Sequence, residues 1–147
     1  MKPIAFALRF HGEAVELDGG RFWVETRAPA CMFAHVVGPD GAANRLDGIG
    51  AEEALCRRDL ELRDDGSLVQ TGEISFGAGD AITFRAEGEL GASPDPRLRH
   101  GTAVFEVTGG RGRLAGARGF VTSNFLLSDT GELTDHHLGL LFVERPV

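Results

Sequence analysis

Two histidines and an aspartate stand side by side near the C-terminus, and they are the chain's main candidates for acid–base chemistry. Asp135, His136 and His137 come directly before the apolar run LGLLFV. Adjacent side chains of a β-strand point to opposite faces, so Asp135 and His137 would share one face and His136 would lie on the other. A carboxylate beside an imidazole can orient it for proton transfer. The triplet therefore predicts either an acid–base pair inside the fold or an exposed strand end.

A metal site is the second chemistry that these residues suggest. It would need three or four converging ligands, which Asp135, one of the two adjacent histidines, and His35 or His100 could supply. Their spacing follows no ligand pattern, and neither does that of Cys31 and Cys56, which we expect to be free, buried thiols. The sequence therefore predicts no metal and no other cofactor.

Two further polar residues and several bulky apolar ones are candidates for ligand binding. Glu106 lies between apolar neighbours in VFEVT, and Asn124 lies mid-strand before the apolar run of SNFLL. A buried amide or carboxylate is costly unless it is hydrogen-bonded, so either could anchor a ligand carbonyl or act as an acid. The alternative is that both face solvent. The candidate pocket walls, which could equally be ordinary core residues, are Trp23, Met32, Phe33 and Phe125.

Length and composition restrict the class of protein. The chain has 147 residues, 42% of them hydrophobic and 25% charged, with a net charge of −7. These values predict one soluble domain over residues 1–147. The acidic balance argues against nucleic acid and anionic membranes as partners. The apolar stretch at residues 4–8 is too short for a signal peptide, and no run approaches a membrane span, so we expect a cytoplasmic protein.

The elements that must position these residues are β-strands. Alternation of apolar and polar residues recurs between short turn motifs, and the 21 glycines disfavour helix. Eight or nine strands joined by short turns predict an all-β fold, a closed antiparallel meander barrel, with a sandwich as the alternative. The predicted strands are residues 4–10 with an extension at 13–17 beyond a bulge, 21–27, 33–37, 56–63, 68–76, 82–90, 102–108, 119–128 and 133–144.

Two features interrupt this pattern. Residues 39–54 are the least regular segment, with one helical turn predicted at 51–55, and could form a lid, a pocket wall or a surface loop. Glycines within predicted strands indicate bends or bulges of a curling sheet, or room for a ligand. They are Gly72, Gly88 and Gly139.

Residues 109–119 read GGRGRLAGARG, between two predicted strands. No helix pattern follows, so neither a phosphate loop nor a dinucleotide-binding turn is predicted. The segment resembles a hairpin of the allene oxide cyclase and dirigent-like barrels, and the resemblance extends over residues 100–142. Arg111 stands where that hairpin usually has threonine, and the chain has no tyrosine, so tyrosine-dependent chemistry does not carry over. The matching residues are Gly109, Gly110, Gly112, Arg113, Leu114, Ala117 and Gly119.

The resemblance implies a cofactor-independent cyclase or isomerase, similar to bacterial natural-product cyclases. Its substrate would be a small hydrophobic, polyketide- or lipid-like molecule, folded inside the barrel into a reactive conformer. Asn124, His136 and His137 are the groups that we expect to polarise a carbonyl. Two alternatives stay open: a lipocalin-like carrier with the same pocket, and a structural or interaction domain with a filled barrel. A homodimer or a homotrimer is compatible with all three.

Overall fold

The computed structural model describes residues 2–29, 36–38, 41–43, 53–77 and 79–144. Eight antiparallel strands close into a barrel, and two short strands form a separate hairpin. In the part of the chain described, no helix is long and apolar enough to cross a membrane. The strands are β1 (Lys2–Asp18), β2 (Arg21–Ala28), β3 (Val36–Gly38), β4 (Gly41–Ala43), β5 (Ala54–Leu62), β6 (Ser67–Ser75), β7 (Ala81–Ala92), β8 (Leu98–Arg111), β9 (Arg118–Ser128) and β10 (Glu132–Val143).

The barrel is a meander whose last strand pairs with its first. Each barrel strand pairs with the next one in the chain, and β3 and β4 are passed over between β2 and β5. Closure comes from β10, which pairs with β1 from Lys2 opposite Val143 to Glu13 opposite Glu132. Closing the sheet leaves no unpaired barrel edge. The predicted all-β meander barrel is therefore confirmed, with eight strands in the barrel.

Two boundaries differ from the sequence prediction. Residues 13–17 are continuous with the first strand, and the register shift lies at its end, between Glu16 and Asp18. The helical turn predicted at 51–55 is wrong for Ala54 and Leu55, which pair with Ala28 and Arg27 as the start of β5. Pairing along β2 outweighs the local helix preference. Residues 51 and 52, like 33–35 of another predicted strand, lie outside the described residues.

Aromatic rings fill much of the barrel interior. Inward residues alternate with outward ones along the strands, as the burial of β8 and β10 shows. Phe84 and Phe105 stack at a centroid distance of 4.2 Å, and Phe6 meets Phe76 edge-on at 5.6 Å. The ring of Phe6 occupies the space over Gly139, where a Cβ would lie 2.3 Å from its Cζ. An eight-stranded barrel is just wide enough for such side chains.

Gly72 lets strands β5 and β6 approach each other closely. It lies opposite Arg58 in the β5–β6 pair, with no break in register. A Cβ there would lie 2.2 Å from the carbonyl oxygen of Arg57 and 2.8 Å from the Cβ of Arg58. Gly72 therefore makes room for a neighbouring strand and is not a bulge.

Gly72→Ala should lower the free energy of unfolding by about 1–3 kcal/mol, because backbone atoms of β5 must move to admit the methyl group. Urea denaturation followed by circular dichroism measures this. The control is Gly91→Ala, since no atom lies within 4 Å of the Cβ position of Gly91. We expect this control to leave stability unchanged or slightly raised. Equal denaturation midpoints for the two variants would contradict the prediction.

The glycine-rich segment forms the corner between β8 and β9. A 3-10 turn (Gly112–Leu114) connects the strands, and Leu114 is buried in the core. The buried carboxylate of Asp80 accepts hydrogen bonds from the backbone N–H of Arg113, at 2.8 Å, and from its guanidinium. Arg111 donates both terminal N–H groups to Glu73, each at 2.7 Å. The segment that carries the family resemblance therefore anchors one end of the barrel.

Candidate functional site

Two polar residues expected to act inside the barrel lie on its outer face. Asn124 is exposed, and its Oδ1 lies 3.2 Å from Nε2 of His100. His136 is exposed as well. The inward positions of β9 are taken by Ser123 and Phe125, so the strand directs Asn124 outward. The expectation that Asn124 and His136 polarise a ligand inside the barrel is therefore wrong.

Two of the predicted ligand-binding residues are also on the outside. Glu106 is exposed and forms an ion pair with Arg85 at 3.0 Å. Trp23 is 37% exposed and lies on the outer face of β2, next to the buried Val24. Neither can line the interior. Met32 and Phe33 lie outside the described residues.

Asp135 and His137 face the barrel interior. Both side chains are fully buried, and Nε2 of His137 lies 2.8 Å from Oδ2 of Asp135. The hydroxyl of Ser123, on the neighbouring strand, donates to Oδ1 of Asp135 at 2.6 Å. The carboxylate is therefore held between its own strand and β9.

Arg58 completes this cluster and was not among the sequence candidates. Its Nη2 donates to Oδ2 of Asp135 at 2.7 Å, and its side chain is 1% exposed. It projects from β5, which β1 and β2 separate from β10 on one side of the barrel. One signal could have found it: Arg58 occupies the same alternating positions as the buried Cys56 and Leu60.

The Asp135 carboxylate is ionised. Burial by itself would raise the pKa of Asp135, but His137, Arg58 and the hydrogen bond from Ser123 hold it well below its ordinary value. An ionised carboxylate only accepts hydrogen bonds, so Nε2 of His137 must carry the proton. In the neutral imidazole, Nδ1 then carries a lone pair and can accept a proton.

Cys56 lies beside this cluster as a free, buried cysteine. Burial raises the pKa of its thiol to about 11. The thiol is therefore protonated near neutral pH and is a poor nucleophile. The expectation of a free, buried thiol is confirmed for Cys56, whereas Cys31 lies outside the described residues.

Phenylalanine rings surround the cluster. The guanidinium carbon of Arg58 lies 5.5 Å from the centroid of Phe105. The ring of His137 is 5.0 Å from Phe105, edge-on, and 4.7 Å from Phe10. The rings hold both side chains in place and keep the surroundings apolar, which strengthens electrostatic interactions there.

Several buried polar atoms of this interior have no hydrogen-bond partner among the described residues. They are Oγ1 of Thr26, Nε and Nη1 of Arg58, Nδ1 of His137, and both amide atoms of Gln70. Each such atom costs about 1–3 kcal/mol, and more where the group is charged. Native proteins contain few of them. The barrel therefore contains donors and acceptors available to a polar guest, whether a ligand group or water.

A small apolar cavity lies at the end of the barrel where the β1–β2, β5–β6, β7–β8 and β9–β10 hairpins turn. We call this end the mouth. The cavity has a volume of about 30 Å³, and the predicted ligand-binding residue Phe125 lines it. One layer of side chains separates it from the polar cluster, since Leu60 and Leu133 are each two positions from Arg58 and Asp135. The lining residues are Ala14, Phe22, Leu60, Leu62, Leu68, Leu90, Arg99, Phe125, Leu127 and Leu133.

These features define a closed eight-stranded meander barrel with a buried ionic cluster on an aromatic interior. No group of three or more His, Cys, Asp or Glu side chains is placed to hold a metal ion in the ranges that the structure describes.

The fold is similar to that of two solved dirigent proteins. The pterocarpan synthase dirigent protein GePTS1 is similar with a TM-score of 0.58 at 13% identity, over 99% of this chain and 87% of that one. The pterocarpan synthase dirigent protein PsPTS1 gives 0.57 at 12% identity, over 99% and 97%. No family's sequence pattern and no curated protein's sequence matches the chain. The likeness is one of fold.

Proposed function

We propose that this protein is a cofactor-independent cyclase or isomerase that binds a small hydrophobic, polyketide- or lipid-like molecule inside the barrel. One observation carries the proposal. A buried arginine and a buried histidine, both held by Asp135, have polar atoms without partners among the described residues, inside a wall of phenylalanines. Such an arrangement suits a ligand that is largely apolar and has one polar group.

The ligand's apolar body would occupy the mouth, and its polar group would reach the cluster. The residues that line the cavity and the residues of the polar cluster are two positions apart along their strands, which is a distance of about 7 Å. The cavity of about 30 Å³ has room for about one water molecule. Binding must therefore displace side chains of the mouth. These are mostly leucine and phenylalanine, which are held by packing and can change rotamer without breaking a hydrogen bond.

Arg58 and His137 divide the chemistry between them. The unpaired N–H groups of Arg58 donate to a ligand carbonyl oxygen and stabilise negative charge that develops on it. Nδ1 of His137 takes a proton from the ligand and returns it to another ligand atom after the bond rearrangement. Asp135 keeps the imidazole oriented. The product has the same composition as the substrate, so the reaction needs no cofactor or second reactant.

Confinement supplies the remainder of the rate enhancement. Holding a flexible chain in a reactive conformer is worth roughly 7–11 kcal/mol in well-oriented intramolecular reactions. The two solved neighbours are described as pterocarpan synthase dirigent proteins. A synthase role on this fold is what the proposal carries over from them.

The small cavity favours one competing function, a barrel filled by its own side chains that serves as a structural or interaction domain. Two probes distinguish this filled barrel from the proposed enzyme. Acetophenone has a carbonyl on an apolar ring, and ethylbenzene lacks the carbonyl. We expect acetophenone to shift the backbone NMR signals of interior residues such as Arg58 and His137, and to leave their outward neighbours Arg57 and His136 unchanged.

Arg58→Lys tests the carbonyl contact, because lysine keeps a positive charge for Asp135 but lacks the Nε and Nη1 donors. We expect it to weaken acetophenone binding about tenfold or more, with ethylbenzene binding unaffected. The control is Arg57→Lys, at an exposed position on the same strand. If neither probe perturbs interior residues, the filled-barrel function is correct and this proposal is wrong.

A further inference from the structure

Gln70 is a buried amide with no role in the chemistry described so far. It projects into the barrel from β6 and is 1% exposed, and neither its Oε1 nor its Nε2 has a hydrogen-bond partner among the described residues. Its cross-strand neighbours are Leu60 and Ala86, whose side chains have no polar atoms to offer it. A buried carboxamide with both ends unpaired is costly, and leucine or methionine would fill the same space without that cost.

The register places Gln70 close to Arg58. Arg58 lies opposite Gly72, and Gln70 lies two positions before Gly72 on the same strand. Gln70 and Arg58 are therefore diagonal neighbours on one face of the sheet, with Cβ atoms about 7–8 Å apart or less. Both side chains are long enough to contact one small group between them.

The charges and the free atoms together restrict what that group can be. Asp135 already neutralises Arg58, so a further buried charge would be uncompensated and costly. Arg58 offers only donors, whereas Gln70 offers a donor and an acceptor. A neutral group that both accepts and donates hydrogen bonds matches the unpaired donors of Arg58 and the unpaired donor and acceptor of Gln70. A carbonyl with a nearby hydroxyl is such a group.

We infer that Gln70 is a specificity-determining residue that selects hydroxy-carbonyl ligands. The ligand carbonyl accepts from Arg58, the ligand hydroxyl donates to Oε1 of Gln70, and Nε2 of Gln70 donates to a ligand oxygen. The inference rests on the proposed ligand site in the barrel. It adds the hydroxyl as a required feature of the substrate class.

The test compares acetophenone with 3-hydroxyacetophenone. Gln70 is the chain's one glutamine, so labelling the protein with side-chain 15N-glutamine yields one NH2 pair in the NMR spectrum. We expect 3-hydroxyacetophenone to shift this pair and to bind about tenfold more tightly than acetophenone. In Gln70→Met the two probes should bind equally. This variant removes only unpaired polar atoms, so we expect it to fold with equal or greater stability.

Asn124→Ala is the matched control, because Asn124 is an amide on the outer face of the same barrel. It should leave the preference for the hydroxylated probe intact. If wild type binds both probes equally inside the barrel and the Gln70 signal does not move, the inference is wrong while the proposed site stands. If neither probe perturbs interior residues of wild type, the ligand site itself is wrong and the role of Gln70 fails with it.

Discussion

Replacing Asp135 with asparagine should lower the free energy of unfolding by about 3–5 kcal/mol. Asp135 balances the charge of Arg58 at 2.7 Å, and both side chains are almost completely buried. Asparagine keeps the shape of the side chain but removes its charge. The guanidinium would then be a buried, uncompensated cation, which is the costly way to break such a pair.

Urea denaturation at pH 7 measures the effect, with Asp59→Asn as the control because Asp59 is exposed on the strand that carries Arg58. Arg58→Met should also be destabilising, because it leaves the buried carboxylate of Asp135 without a counter-charge. The double variant should be more stable than the sum of the two single losses predicts, since it leaves neither charge unpaired. Additive losses would mean that the two groups do not interact energetically, contrary to the structure.

The same pair makes stability depend on pH. The pKa of Asp135 in the folded protein is lowered from 3.8, the value expected in the unfolded chain. Below pH 3.8 the unfolded state therefore binds a proton that the folded state does not, and stability falls as the pH falls toward the folded pKa. Asp135→Asn should lack this contribution. The stability difference between wild type and variant should shrink from pH 5 to pH 2.5, and a constant difference would contradict the lowered pKa.

Wild-type protein should accelerate hydrogen–deuterium exchange of the methyl protons of acetophenone, which are α to its carbonyl. Removing a general base slows a reaction roughly 10²–10⁴-fold. We therefore expect His137→Gln to lower the protein-catalysed exchange rate by a factor of that order. Glutamine can still donate to Asp135 but cannot take a proton near neutral pH. Loss of the methyl signal in D2O, followed by proton NMR, measures the rate.

The neighbouring histidine provides the matched control. His136 is exposed on the outer face, so His136→Gln should exchange at the wild-type rate. Acetophenone binding should be similar in all three proteins, because His137 acts on the proton and not on the carbonyl. If wild type binds acetophenone without accelerating exchange, the barrel is a carrier and His137 is not a base.

The sequence by itself determined the strands and their connection. Alternation between short turn motifs defined seven of the eight barrel strands to within a few residues, and short connections between successive strands imply a meander. It also determined that Asp135 and His137 share a face, because the period of a strand is two residues. These properties depend on residues close together in the chain, which is why they can be read locally.

Which face of each strand points inward was decided only by the tertiary structure. In β9 and β10 both faces carry large apolar residues, and those on the outside include Phe120, Leu138 and Leu140, each about half exposed. Polarity alone would turn these inward and Asp135 outward. Asp135 is nevertheless buried, because Arg58, 77 positions away in the chain, donates to its carboxylate inside the barrel.

The cluster itself is likewise a product of closure. Arg58 lies on β5 and Asp135 on β10, and these two strands share no neighbouring strand in the sheet. Curling the sheet shut brings their inward side chains to one place, where burial of a charge makes its pairing obligatory. Sequence spacing carries no information about that distance, because it arises from the barrel's circumference and register.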